Sequence, residues 1–220
     1  MSSNESPLVG ILALQGDVDE HAVALARVGA RVLAVKTLAQ LESCDALVIP
    51  GGESTTVMKL LERFALAEPI RARVIAGMPL WGTCMGMIVA GCGVADLEQP
   101  TLGVLDVTVR RNAFGRQNDS AEVDLAIPVL GSEPFPAIFI RAPWIERSGP
   151  SVEVLASRDG HGVMVRERNV LGCSFHPELS TDTRVHRYFL GMIADASRRV
   201  GKESIAGEGS GRYVVSSTES

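Results

Sequence analysis

No stretch of this 220-residue sequence approaches the roughly 20 uninterrupted apolar residues that a bilayer-spanning helix requires, so no membrane span is expected. A sustained basic block is also missing. Lys and Arg total 21 against 26 Asp and Glu, a net charge of −5, which argues against the counterion-release binding that nucleic acids invite. The four cysteines, Cys44, Cys84, Cys92 and Cys173, lie far apart with no Cys-x-x-Cys pair, so neither a metal site nor a disulfide framework is expected. Met1 to Pro7 has no basic leader character, and the apolar run after it is broken at once by Gln15-Gly16-Asp17. It reads as a strand, which points to a cytoplasmic protein. No internal repeat is evident.

What is present suits one soluble α/β domain. A hydrophobic fraction of 46% and a charged fraction of 21% are ordinary, and a chain of this length can bury roughly 70% of its unfolded surface around one core. Leu8 to Leu14 predicts a strand, Val18 to Val28 a helix stopped by Gly29, Arg31 to Val35 and Ala46 to Ile49 two further strands. Pro50-Gly51-Gly52 is a turn, after which Ser54 or Thr55 can cap a helix through Phe64. A fourth strand ends at Gly82-Thr83-Cys84. Alternation at this pace implies βαβ units and a parallel sheet covered on both faces to about Gly91. From Leu102 to Phe175 shorter alternating runs predict β-hairpins added to that sheet, and Tyr188 to Ile193 predicts a last helix. The fold class expected is a three-layer, flavodoxin-like α/β sheet, largely parallel, with antiparallel hairpins. Residues 1–7 form an N-terminal extension, 8–199 the domain, and 200–220 a polar, small-residue tail expected to be disordered.

Three segments carry chemistry. Gly82-Thr83-Cys84-Met85-Gly86 has the G-x-S-x-G form with cysteine as nucleophile, between a strand and a small-residue helix, the setting that motif needs. Cys44, Cys92 and Cys173 lack that setting and are read as structural, Cys92 and Cys173 in surroundings that suit core packing. Phe175-His176-Pro177-Glu178 offers a proton acceptor and a carboxylate two residues on. On an extended segment the two point the same way, so Glu178 can orient His176. His21, His161 and His186 have no such partner. The Gly51-Gly52 turn can present backbone N–H groups to a developing oxyanion, the second donor being the N–H of Met85. Arg111 and Arg141 can anchor a substrate carboxylate.

Together these segments resemble the glutaminase subunits of pyridoxal 5′-phosphate synthases, within the triad (class I) glutamine amidotransferases. The resemblance runs from about Val9 to Ile193. It rests on Leu12-Ala13-Leu14-Gln15-Gly16 with Glu20-His21, Pro50 to Thr56, Gly82-Thr83-Cys84, Arg111 to Gln117, Phe139 to Pro143 and Phe175 to Leu179. It implies that Cys84 attacks the L-glutamine side-chain amide, that His176 transfers protons and that Glu178 orients His176. Gly52, Glu53, Ser54, Arg111, Ile140 and Arg141 contact glutamine by the same resemblance. Ammonia then passes to a synthase subunit in a hetero-oligomeric complex, whose product is pyridoxal phosphate, and no cofactor is implied for this chain. Met85 departs from the alanine often found there in the subfamily. Three other readings share parts of the pattern: a glutaminase feeding another synthase, a free-standing cysteine hydrolase, and a binding subunit with an inert cysteine. The flippable Gly51-Gly52 peptide suggests low activity without a partner.

Overall fold

The computed structural model describes residues 6–95, 97–111 and 120–208. In chain order the elements are β1 (Leu8–Leu12), α1 (Val18–Arg27), β2 (Arg31–Val35), α2 (Leu38–Glu42), β3 (Ala46–Ile49), α3 (Ser54–Arg63), α4 (Ala67–Ile75), β4 (Leu80–Thr83) and α5 (Met85–Ala90). After these come β5 (Gly91–Val94), β6 (Leu105–Arg110), β7 (Ser120–Leu125), β8 (Phe135–Ile140), β9 (Trp144–Ser148), β10 (Glu153–Arg158), β11 (His161–Glu167), β12 (Val170–Cys173) and α6 (Arg184–Glu208).

The main sheet runs β2-β1-β3-β4-β12-β11-β9-β6-β5, with β10 paired to β11. Its first five strands are parallel, in the doubly wound arrangement of flavodoxin-like sheets. From β12 onward the pairing turns antiparallel through β11, β9 and β6, while β5 lies parallel to β6. β7 and β8 stand apart as a two-stranded antiparallel sheet, so that hairpin does not join the main sheet as the sequence suggests.

The two-residue period of the strands builds the two cores. On β3, Leu47 and Ile49 pack on one face with Val57, Met58 and Leu61 of α3 and Met85 and Met87 of α5. Ala46 and Val48 pack on the other with Leu25 of α1 and Phe189 and Met192 of α6. On β4, Leu80 and Trp81 divide the same way. Burial on both faces explains why β3 reads as a continuous apolar run.

Three local expectations change. The side chain that caps α3 is Glu53, which accepts from Thr56 N–H at 2.8 Å, not Ser54 or Thr55. α2 and α4 were not legible because α2 has five residues and α4 only Ile70 and Val74 buried. α6 begins at Arg184 and continues past Arg199 to Glu208, beyond the domain boundary expected there. Its buried Val185, Phe189, Met192 and Ile193 lie at helical spacing and anchor the early turns. Later residues such as Lys202, Glu203 and Ala206 extend a helix already nucleated. Residues 209–220 of the expected tail lie outside the described residues.

Cys173 is buried as expected and Cys44 is buried too, but Cys92, read as suited to the core, is exposed on β5, the last strand of the main sheet. Among the described residues no helix is long and apolar enough to cross a membrane.

Candidate active site

Cys84 stands between the end of β4 and the start of α5 with φ 49° and ψ −108°, a backbone conformation that residues with a Cβ avoid. Its N–H donates to the carbonyl of Cys173 at 2.7 Å, so the turn is pinned to the end of β12. The flanking glycines answer steric demands. A Cβ at Gly82 would press into the Gly86 carbonyl, and one at Gly86 would run into the carbonyl of Ile49. The Cys84 side chain lies 3.8 Å, through Sγ, from the carbonyl oxygen of Ile140.

His176 and Glu178 follow β12. Pro177 to Leu179 form a 3₁₀ turn, so the pair is brought together by a turn and not by the extended segment expected. Proline at the start of such a turn fixes its entry. Nδ1 of His176 and Oε1 of Glu178 are 2.7 Å apart, and both side chains are almost wholly buried. The backbone N–H of His176 donates to Ile138 O at 2.8 Å, which ties this turn to β8.

Burial acts against a charge on His176, but hydrogen bonds to Asp17, Cys84 and Glu178 outweigh it and push its pKa up to about 12. Burial pushes the Glu178 carboxyl up, offset in part by His176. The two shifts favour opposite charge states for the pair. The 2.7 Å contact, with Asp17 adding a second carboxylate, favours the imidazolium–carboxylate form. Asp17, His176 and Glu178 bring ligand-type atoms within 4.8 Å of one another. His176 Nδ1 is engaged by Glu178 at 2.7 Å, with Asp17 at 3.5 Å, so the three groups form a hydrogen-bonded cluster.

A cavity of about 340 Å³ opens over Cys84 and His176. Gly52, Glu53, Ser54, Met85, Arg111, Ile140 and Arg141 all line it, so every residue singled out in the sequence meets here except Glu178, which backs His176. Glu53 accepts from Thr55 Oγ1 at 2.5 Å and lies 3.3 Å from Arg111. Burial raises its pKa, but hydrogen bonds from Thr55 and Thr56 prevail and hold it down at about 2. Gly52 has φ 152°, and a Cβ there would press on the side chain of Gln15, whose Oε1 accepts from Glu53 N–H at 2.8 Å. Arg141 has φ 43°, so two of the strained non-glycine residues face one cavity. Asn112 to Gln117 lie outside the described residues.

Sequence reasoning missed Asp17, whose Oδ2 lies 3.5 Å from Nδ1 of His176, together with Ile88 and Pro143 in the lining. It gave Gln15 no place in the cavity. It also passed over His21, a wholly buried residue whose Nε2 faces Glu178. The available signal was its position on the same helix face as buried Ala24 and Leu25, where a polar ring requires a reason.

A flavodoxin-like sheet extended by antiparallel strands, with a cysteine elbow at the carboxyl end of β4 and a His-x-Glu turn after the neighbouring β12, is the fold of a class I glutamine amidotransferase. A crystal structure of a glutamine amidotransferase superposes with a TM-score of 0.81 at 48% identity, covering 84% of this chain and 98% of that one. The structure of PurLQS from Thermotoga maritima shares the fold at a TM-score of 0.61 and 17% identity, over 84% of this chain and 98% of that one. The model of the SNO glutamine amidotransferase family matches residues 11–195, and the chain belongs to that family. It is 53% identical over 199 residues to the pyridoxal 5′-phosphate synthase subunit PdxT of Acidothermus cellulolyticus, covering 87% of this chain and 96% of that protein. It is likewise 53% identical over 194 residues to the PdxT subunit of Mycolicibacterium vanbaalenii, covering 86% of this chain and 99% of that protein.

Proposed function

We propose that this chain is the glutaminase subunit of a pyridoxal 5′-phosphate synthase, a cytoplasmic enzyme that hydrolyses L-glutamine to L-glutamate and ammonia and supplies the ammonia to a synthase subunit. The observation that carries the reading is the strained Cys84 beside His176, itself hydrogen-bonded to Glu178 at 2.7 Å, under a cavity lined by two arginines.

In this mechanism the Cys84 thiolate adds to the side-chain carbonyl carbon of glutamine. The tetrahedral oxyanion is held by the N–H groups of Met85 and Gly52. As it collapses the C–N bond breaks, His176 protonates the leaving nitrogen, and ammonia departs from a glutamyl thioester. His176 then takes a proton from water, which attacks the thioester; C–S cleavage releases glutamate and regenerates the thiolate. Glu178 holds the imidazole in orientation and stabilises its charged form. Arg111 and Arg141 meet the α-carboxylate of glutamine, with Glu53, Ser54 and Ile140 completing the contacts.

The Gly51-Gly52 peptide, packed between Gln15 and His176, is the element whose orientation decides whether the second oxyanion donor is present. The isolated subunit is therefore a weak glutaminase, and its partner completes the site. The test is glutamate and ammonia release by the wild-type chain and by Cys84→Ala, each with and without a pyridoxal 5′-phosphate synthase subunit. Partner-stimulated release that Cys84→Ala abolishes is the expected result. Full activity of the chain alone, or turnover in the Cys84→Ala protein, would refute the assignment.

A further inference from the structure

Behind the reacting pair lies a second histidine that the mechanism above does not use. His21 projects from α1, has no solvent exposure, and places Nε2 3.1 Å from Oγ1 of Thr83 and 3.4 Å from Oε2 of Glu178. Thr83 directly precedes Cys84, and Glu178 is the carboxylate that holds His176. One ring therefore stands between the strand end that carries the nucleophile and the turn that carries the acid. Its edge packs on Trp81 at a centroid distance of 5.4 Å, and its other neighbour in the core is His186 at 6.0 Å.

We propose that His21 is a positioning residue for Glu178: its Nε2–H faces the outer carboxylate oxygen and fixes the carboxylate plane, so that the inner oxygen stays aligned with His176. The proposal rests on the reading of Cys84, His176 and Glu178 as the reacting groups.

The tautomer follows from the neighbours. A lone pair on Nε2 would point at a carboxylate oxygen, whereas an N–H there meets acceptors on both Glu178 and Thr83. Burial, with the nearby His186 and His176, keeps the His21 ring neutral, so it presents a dipole and adds no net charge. The charged and titratable groups that act with Glu178 are then His176 at Oε1, His21 near Oε2 and the buried Cys173 thiol of β12, with Asp17 acting on it across His176. Among the described residues Oε2 forms no hydrogen bond, and its contact with His21 Nε2 at 3.4 Å is a polar contact longer than the 3.1 Å hydrogen bond between that nitrogen and Thr83. His21 does not line the cavity, so its loss has no direct route to glutamine affinity.

The experiment compares His21→Gln, which keeps an N–H at similar reach, with His21→Leu, which removes it, and His21→Asn, which shortens it. Glutaminase activity is measured with a saturating synthase subunit across pH, and folding is checked by circular dichroism. Expected are a fall in kcat of roughly 10–100-fold for the Leu and Asn proteins, as when an outer hydrogen-bond partner of a site is lost, an unchanged KM, and an acidic limb moved to higher pH. Recovery of both kcat and the limb is expected for the Gln protein. In parallel, alkylation of Cys84 by iodoacetamide is followed against pH by peptide-resolved mass spectrometry, so that exposed Cys92 does not interfere.

A folded Leu or Asn protein with wild-type kcat and pH profile overturns the proposal, and so does a Gln protein as impaired as the others. If the wild-type complex releases no ammonia while the alkylation profile shifts in Leu and Asn but not in Gln, the glutaminase reading fails and the positioning role stands.

Discussion

Asp17 and Glu178 converge on one nitrogen of His176: Nδ1 lies 2.7 Å from Glu178 Oε1 and 3.5 Å from Asp17 Oδ2. The two carboxylates differ in setting, since the Glu178 side chain is wholly buried and that of Asp17 is 41% exposed. Asp17 is also the residue before α1 but makes no side-chain cap to that helix, which leaves its carboxylate to the imidazole.

Glu178→Gln should therefore cost far more than Asp17→Asn. The buried contact orients the ring, and its loss is expected to lower kcat by roughly 10²–10⁴. Asp17 mainly adds to the proton affinity of His176, so Asn there should lower kcat less than about tenfold. Its signature is in the pH profile. His176 is raised to about 12, against burial, with Asp17 first among the hydrogen bonds that raise it. Removing that contact lets the imidazolium lose its proton at lower pH, so the alkaline limb of kcat/KM should move down. Matching pH–rate profiles for Asp17→Asn and wild type would contradict this.

Gly51→Ala should disable the site while sparing the fold. A Cβ at Gly51 would lie 2.5 Å from Cε1 of His176 and 2.9 Å from Oδ2 of Asp17. The imidazole must shift, and misplacement on the order of 1 Å costs roughly 10²-fold in rate. Gly77→Ala is the control, because nothing lies within 4 Å of its added Cβ, though its φ of 106° carries a backbone penalty. The expected result is low glutaminase activity with a near-native melting temperature for Gly51→Ala, and the reverse for Gly77→Ala.

These contacts show what the sequence could and could not disclose. His176 and Glu178 were legible because only Pro177 separates them along the chain, even though a 3₁₀ turn does the joining. Cys84 was legible because Gly82 and Gly86 mark the close approach of backbone around it. Buried β3 announced itself as an apolar run and β4 through the Gly82-Thr83-Cys84 turn that ends it, and the parallel order followed from alternation with helices. Asp17 and His21 were not legible as site residues, because His176 and Glu178, which they face, lie more than 150 residues away and meet them only when β12 settles beside β4. The separate β7–β8 hairpin was hidden for a related reason. Alternation predicts a strand but not which sheet receives it.

His186 should make stability fall on acidification. It is wholly buried on α6, edge-on to Trp81 at 5.0 Å, and among the described residues neither ring nitrogen has a hydrogen-bond partner. Burial lowers its pKa to about 4 from the usual 6.5. A depressed histidine leaves the unfolded chain binding the extra proton first, so its contribution is complete above about pH 6.5 and is lost as pH falls toward 4, amounting to roughly 3 kcal/mol. Buried His21 acts in the same direction, while the raised Glu178 carboxyl acts oppositely. Both remain in His186→Phe, and the loss of the His186 charge also eases the depression of His21, so the difference between wild type and variant reports His186 together with its coupling to His21. Urea unfolding at pH 7 and pH 5 should show a smaller loss of stability for the Phe protein; equal losses would contradict the assignment.

Arg141→Gly should separate stability from activity at one position. Arg141 lies just beyond β8 with φ 43°, a left-handed conformation that costs a residue with a Cβ roughly 1–2 kcal/mol. Glycine adopts it freely but loses more freedom on folding, roughly 0.5–1 kcal/mol, so the two effects nearly cancel or favour the variant slightly. If Arg141 binds the carboxylate of glutamine, the same change removes that anchor and should raise KM at least tenfold, with a smaller effect on kcat. Arg141→Ala loses the guanidinium and keeps the strain, so it should share the raised KM without any gain in melting temperature. A Gly protein of unchanged KM would remove Arg141 from the substrate site. A marked loss of stability would mean that its side chain, and not its backbone, holds this turn.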